Sequence, residues 1–506
     1  MYWADEVAQK LKERKLPLEW VDDMKTPSGK IHVGALRGVV IHDLVFKALK
    51  NANVESKFTY IFDDHDPMDG LPVYLDKDKY EKYLGMPLYT IPSPVEGFEN
   101  YAKYYAKDFM EVFSKIGCFP EIIWSTDLYG SGKMNAVIEE CLNNAQKIRE
   151  IYEELYKKEI SSDWYPFQIY CQNCGKVSTT RVTGWDGKEV SYICEKDRLN
   201  WVKGCGKEGK GTPFSENGKI AGKLSWKIEW PAKWKVLGVT VEGAGKDHMS
   251  KGGSHDLAEL VCERVLNFSV PYPIAYEFFL IGGKKMSSSK GLGHSASDML
   301  EILPPEILRF LMVKTRVNQA IDFDPAEPET IPKLFDEYQE AATAFFEKKD
   351  EDLARVYELS QIKEPKEPPK VRFKTLAQWI QMPNMQEEIK KEGAEDWAKY
   401  AKVWLEKFAP EEDKFFVQEN LPEEVSRLSA EQKEYLSKLS GIQFKNAEDL
   451  QTQIYNLSKE LDLKSKDAFG AIYVSLLGKD HGPKAAWLIS SLDKDFVKTR
   501  LQESSK

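Results

Sequence analysis

"TPSGKIHVGALRGVVIHDLVFKALK", Thr26 to Lys50, follows the short apolar run "PLEWV" and decides how the first half of the chain is read. Pro27, Ser28 and Gly29 make a tight turn, after which Val33, Leu36, Val40, Leu44 and Ala48 recur at helical spacing on one face. A strand that turns directly into an amphipathic helix is the first half of a βαβ unit. Gly34 permits close approach to the backbone, and His32 falls near the helix N-terminus, where exposed amides and the dipole favour an anion. The same residues also fit a capped βα turn with a structural histidine.

Outward from this unit, "SKFTYIF", "EIIWST", "KVLGVTVEG" and "IAYEFFLI" predict further strands, with helical patterns such as "FENYAKYYAKDFMEVFSKI" between them. The alternation predicts an α/β fold with a doubly wound, Rossmann-like parallel sheet whose ligands lie beyond the carboxyl ends of the strands. From about residue 166 to 215 the pattern breaks into short, Gly-rich, polar pieces, the mark of an inserted module. After about residue 330 the sequence is helical, interrupted by "QIKEPKEPPK", which reads as a solvated linker or long turn.

Composition narrows the function. The 506 residues are 42% hydrophobic and 30% charged, enough for several cores. No window approaches the roughly 18 uncharged apolar residues of a membrane span, and "MYWADEVAQKLKERK" is charged from the start, so neither a span nor a signal peptide is expected and the cytoplasm is the default compartment. A net charge of −10 argues against coating DNA or RNA indiscriminately and leaves a specific RNA partner open.

Of the seven cysteines, Cys118, Cys141 and Cys262 are isolated, while Cys171, Cys174, Cys194 and Cys205 fall close together. "CQNCGK" has the i, i+3 thiols and following glycine of half a tetrahedral zinc site. Cys194 and Cys205 supply the other half at an irregular spacing, and four thiolates leave no open position, so a zinc here is structural. "YGSGKMN" lacks the first glycine of a P-loop and has Met134 where Ser or Thr is needed, so no separate NTPase module is expected.

"GGKKMSSSKG", Gly282 to Gly291, places Lys285, Ser287 and Lys290 on a Gly-hinged loop. Mobile lysines and hydroxyls supply charge and donors to oxygens that become more negative in phosphoryl or nucleotidyl transfer. A Lys/Ser run is by itself more often a solvated loop. "GKDH" at Gly245 to His248 follows a strand and reaches the ligand edge, where Asp247 can accept from ribose hydroxyls. Its second copy, Gly478 to His481, lies between helical segments before Pro483 and reads as a helix–helix turn.

"PSGKIHVGA" and "KMSSSKG", in this order and so far apart, resemble the HIGH and KMSKS signatures of class I aminoacyl-tRNA synthetases. The detailed resemblance is to the class I, archaeal-type lysyl-tRNA synthetase family, and it also rests on "YWADEVAQKL", "FDDHDP", "GAGKDHMSKGGSHD", "KTRVNQAIDFDP" and "LLGKDHGPKAAWLISSLDKDFV". The resemblance implies that L-lysine and ATP with Mg2+ form lysyl-adenylate and that tRNA(Lys) then accepts the lysyl group. It implies His32, Lys285 and Lys290 as catalytic residues, with Gly29, His32, Gly34, Asp247, Lys285, Ser287 and Lys290 holding ATP. It places Asp63, Asp64, Trp226 and His248 around lysine, where acceptors for ammonium groups and an apolar wall for the methylene stem are needed.

Two positions depart from the family pattern: Ala35 stands where a polar residue is usual, and Ser288 stands where the general class I signature has its second lysine. The implied organisation is a catalytic domain over 1–300 containing the zinc-ribbon-like insertion at about 166–215, a connecting, stem-contact-like helical region over 301–370, and an α-helical anticodon-binding domain over 371–506. Phe415, Phe416 and Trp487 in that last part are expected in its core. A class I enzyme for another amino acid, a nucleotidyltransferase, and an RNA-binding paralogue that lost catalysis remain as alternatives.

Overall fold

The computed structural model describes residues 1–285 and 294–506. The chain divides into two compact units, one of Met1–Phe323 with Glu347–Pro365 and the other of Asp324–Phe346 with Lys366–Lys506.

The first unit is built on a five-stranded, fully parallel sheet. In chain order its elements are β1 (Glu19–Lys25), α1 (Val33–Asn51), β2 (Ser56–Phe62), α2 (Tyr101–Lys115) and β3 (Glu121–Trp124). There follow the inserted strands β4 (Phe167–Ile169), β5 (Thr180–Trp185), β6 (Val190–Cys194), β7 (Glu208–Gly211) and β8 (Gly222–Leu224), and then α3 (Trp226–Leu237), β9 (Val241–Gly245), α4 (Ser254–Val261) and β10 (Tyr272–Tyr276). The spatial order β10-β9-β1-β2-β3 reverses direction between β1 and β9. In a doubly wound sheet that reversal opens a crevice at the carboxyl ends of the two strands.

The helix read from the opening stretch differs in one respect from a one-sided amphipathic helix. Val33, Leu36, Val40, Leu44 and Ala48 are buried as expected, but so are Arg37, Val39, Ile41, His42 and Asp43. The reason is a second layer: α1 is covered on its outer side by the helices Trp3–Glu13 and Pro305–Val313. From the latter, Arg309 pairs with Asp43 at 2.6 Å, both fully enclosed. Each enclosed Val or Leu contributes roughly 1.5–3 kcal/mol, so this helix is an anchor of the unit.

"KVLGVTVEG" is shared between two elements. Lys235 to Leu237 close α3, Gly238 adopts φ +84° as its left-handed terminator, and the strand begins only at Val241. A glycine in that conformation is a common helix stop, and it outranks the β-branched run on either side. The insertion forms two small antiparallel sheets, β4 with β8 and β5-β6-β7, which carry the cysteines. Phe279–Ile281 pairs with Lys284–Lys285 and with Ile321–Asp322, so the "GGKK" run is a hairpin turn at the sheet's end.

The second unit is helical, with a core that includes Tyr435, Leu436, Ile454, Ile472, Leu476 and Ile489. Its second "GKDH" is a helix–helix turn, with Gly478 at φ +68° closing the helix Ser465–Leu477. Phe415 is buried and Trp487 packs against the core, whereas Phe416 is 74% exposed, contrary to its expected place inside. Adjacent residues in extended backbone point to opposite sides, so only one of the pair can face the core. Among the described residues, no helix is long and apolar enough to cross a membrane.

Candidate active site

A cavity of about 530 Å3 opens at the carboxyl ends of β1 and β9, where the strand order reverses. His32, Gly34 and Ala35 line it from the start of α1, Asp63 from the end of β2, and Asp247 and His248 from the turn after β9. Trp226 stands at its mouth, 48% exposed, with its ring 5.9 Å from that of His248 in an edge-on arrangement. His32 is the residue immediately before α1. The segment after the Lys/Ser run returns to it: Val33 N donates to His294 O at 3.1 Å, and Ala296 N donates to Ile31 O at 3.0 Å.

Not every expected residue reaches this cavity. Gly29 lies outside it, packed so closely on Tyr74 that a Cβ would sit 2.5 Å from the phenol oxygen. Asp64 does not line it either: its carboxylate accepts from Thr126 N at 2.9 Å and from Thr126 Oγ1 at 2.6 Å. Asp63 does face the cavity and is already occupied, accepting from Ser125 Oγ at 2.6 Å and pairing with Lys233. Ser287 and Lys290 lie outside the described residues, as does the Lys285 side chain.

The wall beneath Asp63 is a closed polar network that motif reading did not find. Glu229, on α3, accepts from His65 Nε2 at 2.9 Å and from Tyr129 OH at 2.7 Å, and pairs with Lys223 at 2.8 Å and Lys233 at 3.6 Å. Lys223 in turn pairs with Asp66. Burial works to raise the Glu229 pKa, but the two lysines and His65 overcome it and hold the carboxyl well below its usual range. Lys233 shows the mirror effect, with burial opposed by Asp63 and Glu229, and its pKa is raised. The available sequence signal was Glu229 and Lys233 at i, i+4 on one helix, both among tryptophans.

The opposite wall is built from the ends of β1 and β9. Strand register aligns Asp22 with Thr59 and Glu242, and Asp23 with Tyr60, so the two adjacent aspartates point to opposite faces of the sheet. Trp230 Nε1 donates to one oxygen of Glu242 at 2.6 Å and Trp234 Nε1 donates to the other. Burial raises the pKa values of Asp22 and Glu242, reinforced by Asp23 and Asp63 at the first and by Asp22 at the second; burial also raises that of Asp23.

In the insertion, the Sγ atoms of Cys171, Cys174, Cys194 and Cys205 all lie within 4.8 Å of one another, with Cys171–Cys205 at 3.5 Å and Cys174–Cys194 at 3.7 Å. Four sulfurs at about 2.3 Å from a tetrahedral zinc are separated by about 3.8 Å, so the donor set fits that ion. The irregular spacing is resolved by a loop: Glu195 to Gly204 bulge out, and Gly206 N returns to Cys194 O at 2.9 Å.

Comparison with known proteins places this geometry in a family. Residues 1–363 match the family described as "tRNA synthetases class I (K)", and residues 333–504 match the "Anticodon binding domain". A lysine--tRNA ligase of Methanosarcina barkeri (strain Fusaro) is 35% identical, with 100% of this chain and 98% of that protein covered. One from Thermoplasma acidophilum is 34% identical over 99% of this chain and 98% of its own length. A solved glutamate tRNA ligase from Elizabethkingia meningosepticum aligns with 96% of this chain and 99% of its own at 14% identity and a TM-score of 0.49.

Proposed function

Because this chain belongs to the class I tRNA synthetases and is similar over its whole length to lysine--tRNA ligases, we propose that it attaches L-lysine to tRNA(Lys) at the expense of ATP. The observation that carries the reading is the convergence of three separated segments on one cavity: His32 to Ala35, Asp63, and Asp247 with His248. The root of the Lys/Ser run pairs with the residues flanking His32.

In this reading the amides at the start of α1 and the His32 imidazole hold phosphate oxygens, where the helix dipole favours negative charge. Gly34 leaves room for the nucleotide, and Asp247 accepts from the ribose hydroxyls. The lysine carboxylate attacks the α-phosphorus, pyrophosphate leaves, and the tRNA's terminal adenosine then takes the lysyl group from the adenylate. Lys285, Ser287 and Lys290 supply donors to the leaving phosphates, with Mg2+ accompanying ATP. His248 and Trp226 border the amino acid, and Asp63, held by Lys233 and Ser125, completes the polar wall.

The region over 371–506 serves as the anticodon-binding part, in keeping with the match over 333–504. The cysteine cluster holds a structural zinc, and the enzyme works in the cytoplasm. Pyrophosphate exchange with each of the twenty amino acids, followed by charging of total tRNA, tests the assignment. Lysine alone should support exchange, and His32→Ala should lower it about 100- to 1000-fold with little change in tRNA affinity. Exchange with glutamate or cysteine and none with lysine would overturn the specificity. Tight tRNA binding without any adenylate would favour the non-catalytic alternative, for which Ala35, on the cavity wall, is the pertinent departure.

A further inference from the structure

The turn between β1 and α1 carries His32 into the cavity, and its middle is fixed from outside both elements. At one end Thr26 Oγ1 donates to Asp66 Oδ2 at 2.5 Å, and at the other Val33 N donates to His294 O at 3.1 Å. Between these points the backbone meets two phenols. Tyr101 OH donates to Ser28 O at 2.9 Å, and Lys30 N donates to Tyr74 OH at 2.6 Å. The two bonds bracket Gly29.

The tyrosines arrive from different elements. Tyr101, fully buried, is the first residue of α2, whose start is set by Asn100 accepting from Lys103 N at 2.9 Å and by Tyr101 N donating to Ile91 O at 2.8 Å. Tyr74 is exposed and sits on the loop before the short helix Lys77–Tyr80, where Leu75 N donates to Pro72 O at 3.0 Å. Tyr105, one turn along α2 from Tyr101, joins them: its ring lies 4.7 Å from that of Tyr101 and 6.3 Å from that of Tyr74. Loop and helix together form an aromatic clamp on the turn.

The clamp closes on Gly29. This glycine is not in the left-handed region, so its backbone conformation does not call for glycine. What it lacks is a Cβ, which would lie 2.5 Å from the Tyr74 oxygen and 3.2 Å from Pro72 Cγ. A methyl group there displaces the phenol that holds Lys30 N. Neither Gly29 nor either phenol lines the cavity.

We propose that Tyr74 and Tyr101, seated on Gly29, are positioning residues that set how His32 and the first amides of α1 meet the phosphates. The inference rests on the proposed function and adds to it the groups that hold the nucleotide-binding turn from behind. Gly29 then serves the clamp and not the nucleotide. Transfer at phosphorus is steep in geometry, and a misplacement of about 1 Å by a change far from the chemistry costs about 100-fold in rate.

The test is lysine-dependent pyrophosphate exchange by the full-length protein, read as separate kcat and KM values. Tyr101→Phe and Tyr74→Phe should each lower kcat roughly 10- to 100-fold while the KM for lysine stays within about twofold. Gly29→Ala should cost as much as Tyr74→Phe, and the double variant carrying both changes should cost no more than either alone, because both remove the same bond to Lys30 N. With the phenol oxygen gone, Tyr74 Cζ marks the nearest ring atom, 3.8 Å from the added Cβ, an ordinary contact. A glycine needed by ATP itself would instead give losses that multiply. Multiplying losses would overturn the inference, as would kcat values within about twofold of the unmodified protein in both phenylalanine variants, or a lysine KM that rises in step with the fall in kcat. If the unmodified protein supports no exchange with lysine, the functional reading fails, and the positioning role in that reaction fails with it.

Discussion

The two walls of the cavity at the sheet's carboxyl edge are made of the same residue types and do opposite things. On the α3 wall every carboxylate is met by a lysine or histidine from the chain itself, and Glu229 alone has four partners. At the β1–β9 wall Asp23 and Glu242, and Asp22 which does not line the cavity, are enclosed with hydrogen-bond donors but no lysine or arginine in contact among the described residues. A self-neutralised network is part of the folded scaffold, and removing one member strands the others. An enclosed cluster of carboxyls held without such a partner works against folding when ionised, and burial raises their pKa values. Buried charge therefore divides by whether its partner is covalently present.

The comparison breaks first at Glu229. Glu229→Ala leaves Lys223 and Lys233 without their shared acceptor and should cost about 3–5 kcal/mol, read as a lower urea midpoint of the first unit; an unchanged midpoint would show that the network is not structural. Saturating lysine should stabilise the folded protein: at a hundred times its dissociation constant the gain is about 2.7 kcal/mol, seen as an upward shift in melting temperature. Norleucine at the same concentration should give a markedly smaller shift.

A third, smaller effect has a sign set by linkage. The pKa values of Asp22 and Glu242 are raised in the folded protein, so folding takes up protons between the ordinary carboxylate range and those raised values, and stability falls as pH rises through that window. Asp22→Asn should gain stability on the order of 1 kcal/mol at neutral pH and flatten the slope. Glu229 is depressed instead, so its contribution is present above the ordinary range and lost only as pH falls through its lowered value. Glu229→Gln should therefore leave the neutral-range slope intact. The smallest effect belongs to Trp226 at the exposed mouth, where a cation–π contact is worth about 0.5–1 kcal/mol; Trp226→Ala should raise the lysine KM roughly two- to fivefold.

Short local features carried far in the sequence. The turn at Pro27 to Gly29, the apolar face of α1 and the strand runs were enough to place His32 and Asp247 at one edge of a parallel sheet, because a doubly wound sheet has a single ligand-bearing edge. The closely spaced Cys171 and Cys174 announced half a thiol cluster, but the other half needed the loop over Glu195 to Gly204 to bring Cys205 back to Cys194. Asp63 and Asp64 looked equivalent on paper. A half-turn of backbone gives one to the cavity and the other to Thr126.

What the sequence determined by itself is what depends on neighbours within a turn or two: helical and strand periodicity, the βα turn, the hairpin glycines and the identity of the chemistry-bearing segments. The partners of the buried charges were decided only in three dimensions. Lys233 meets an aspartate 170 positions away, and Glu242 aligns with Asp22 across a strand pair. Local periodicity is fixed by backbone geometry that repeats every few residues, whereas the energy of a buried charge depends on every group enclosed with it, wherever in the chain that group arises.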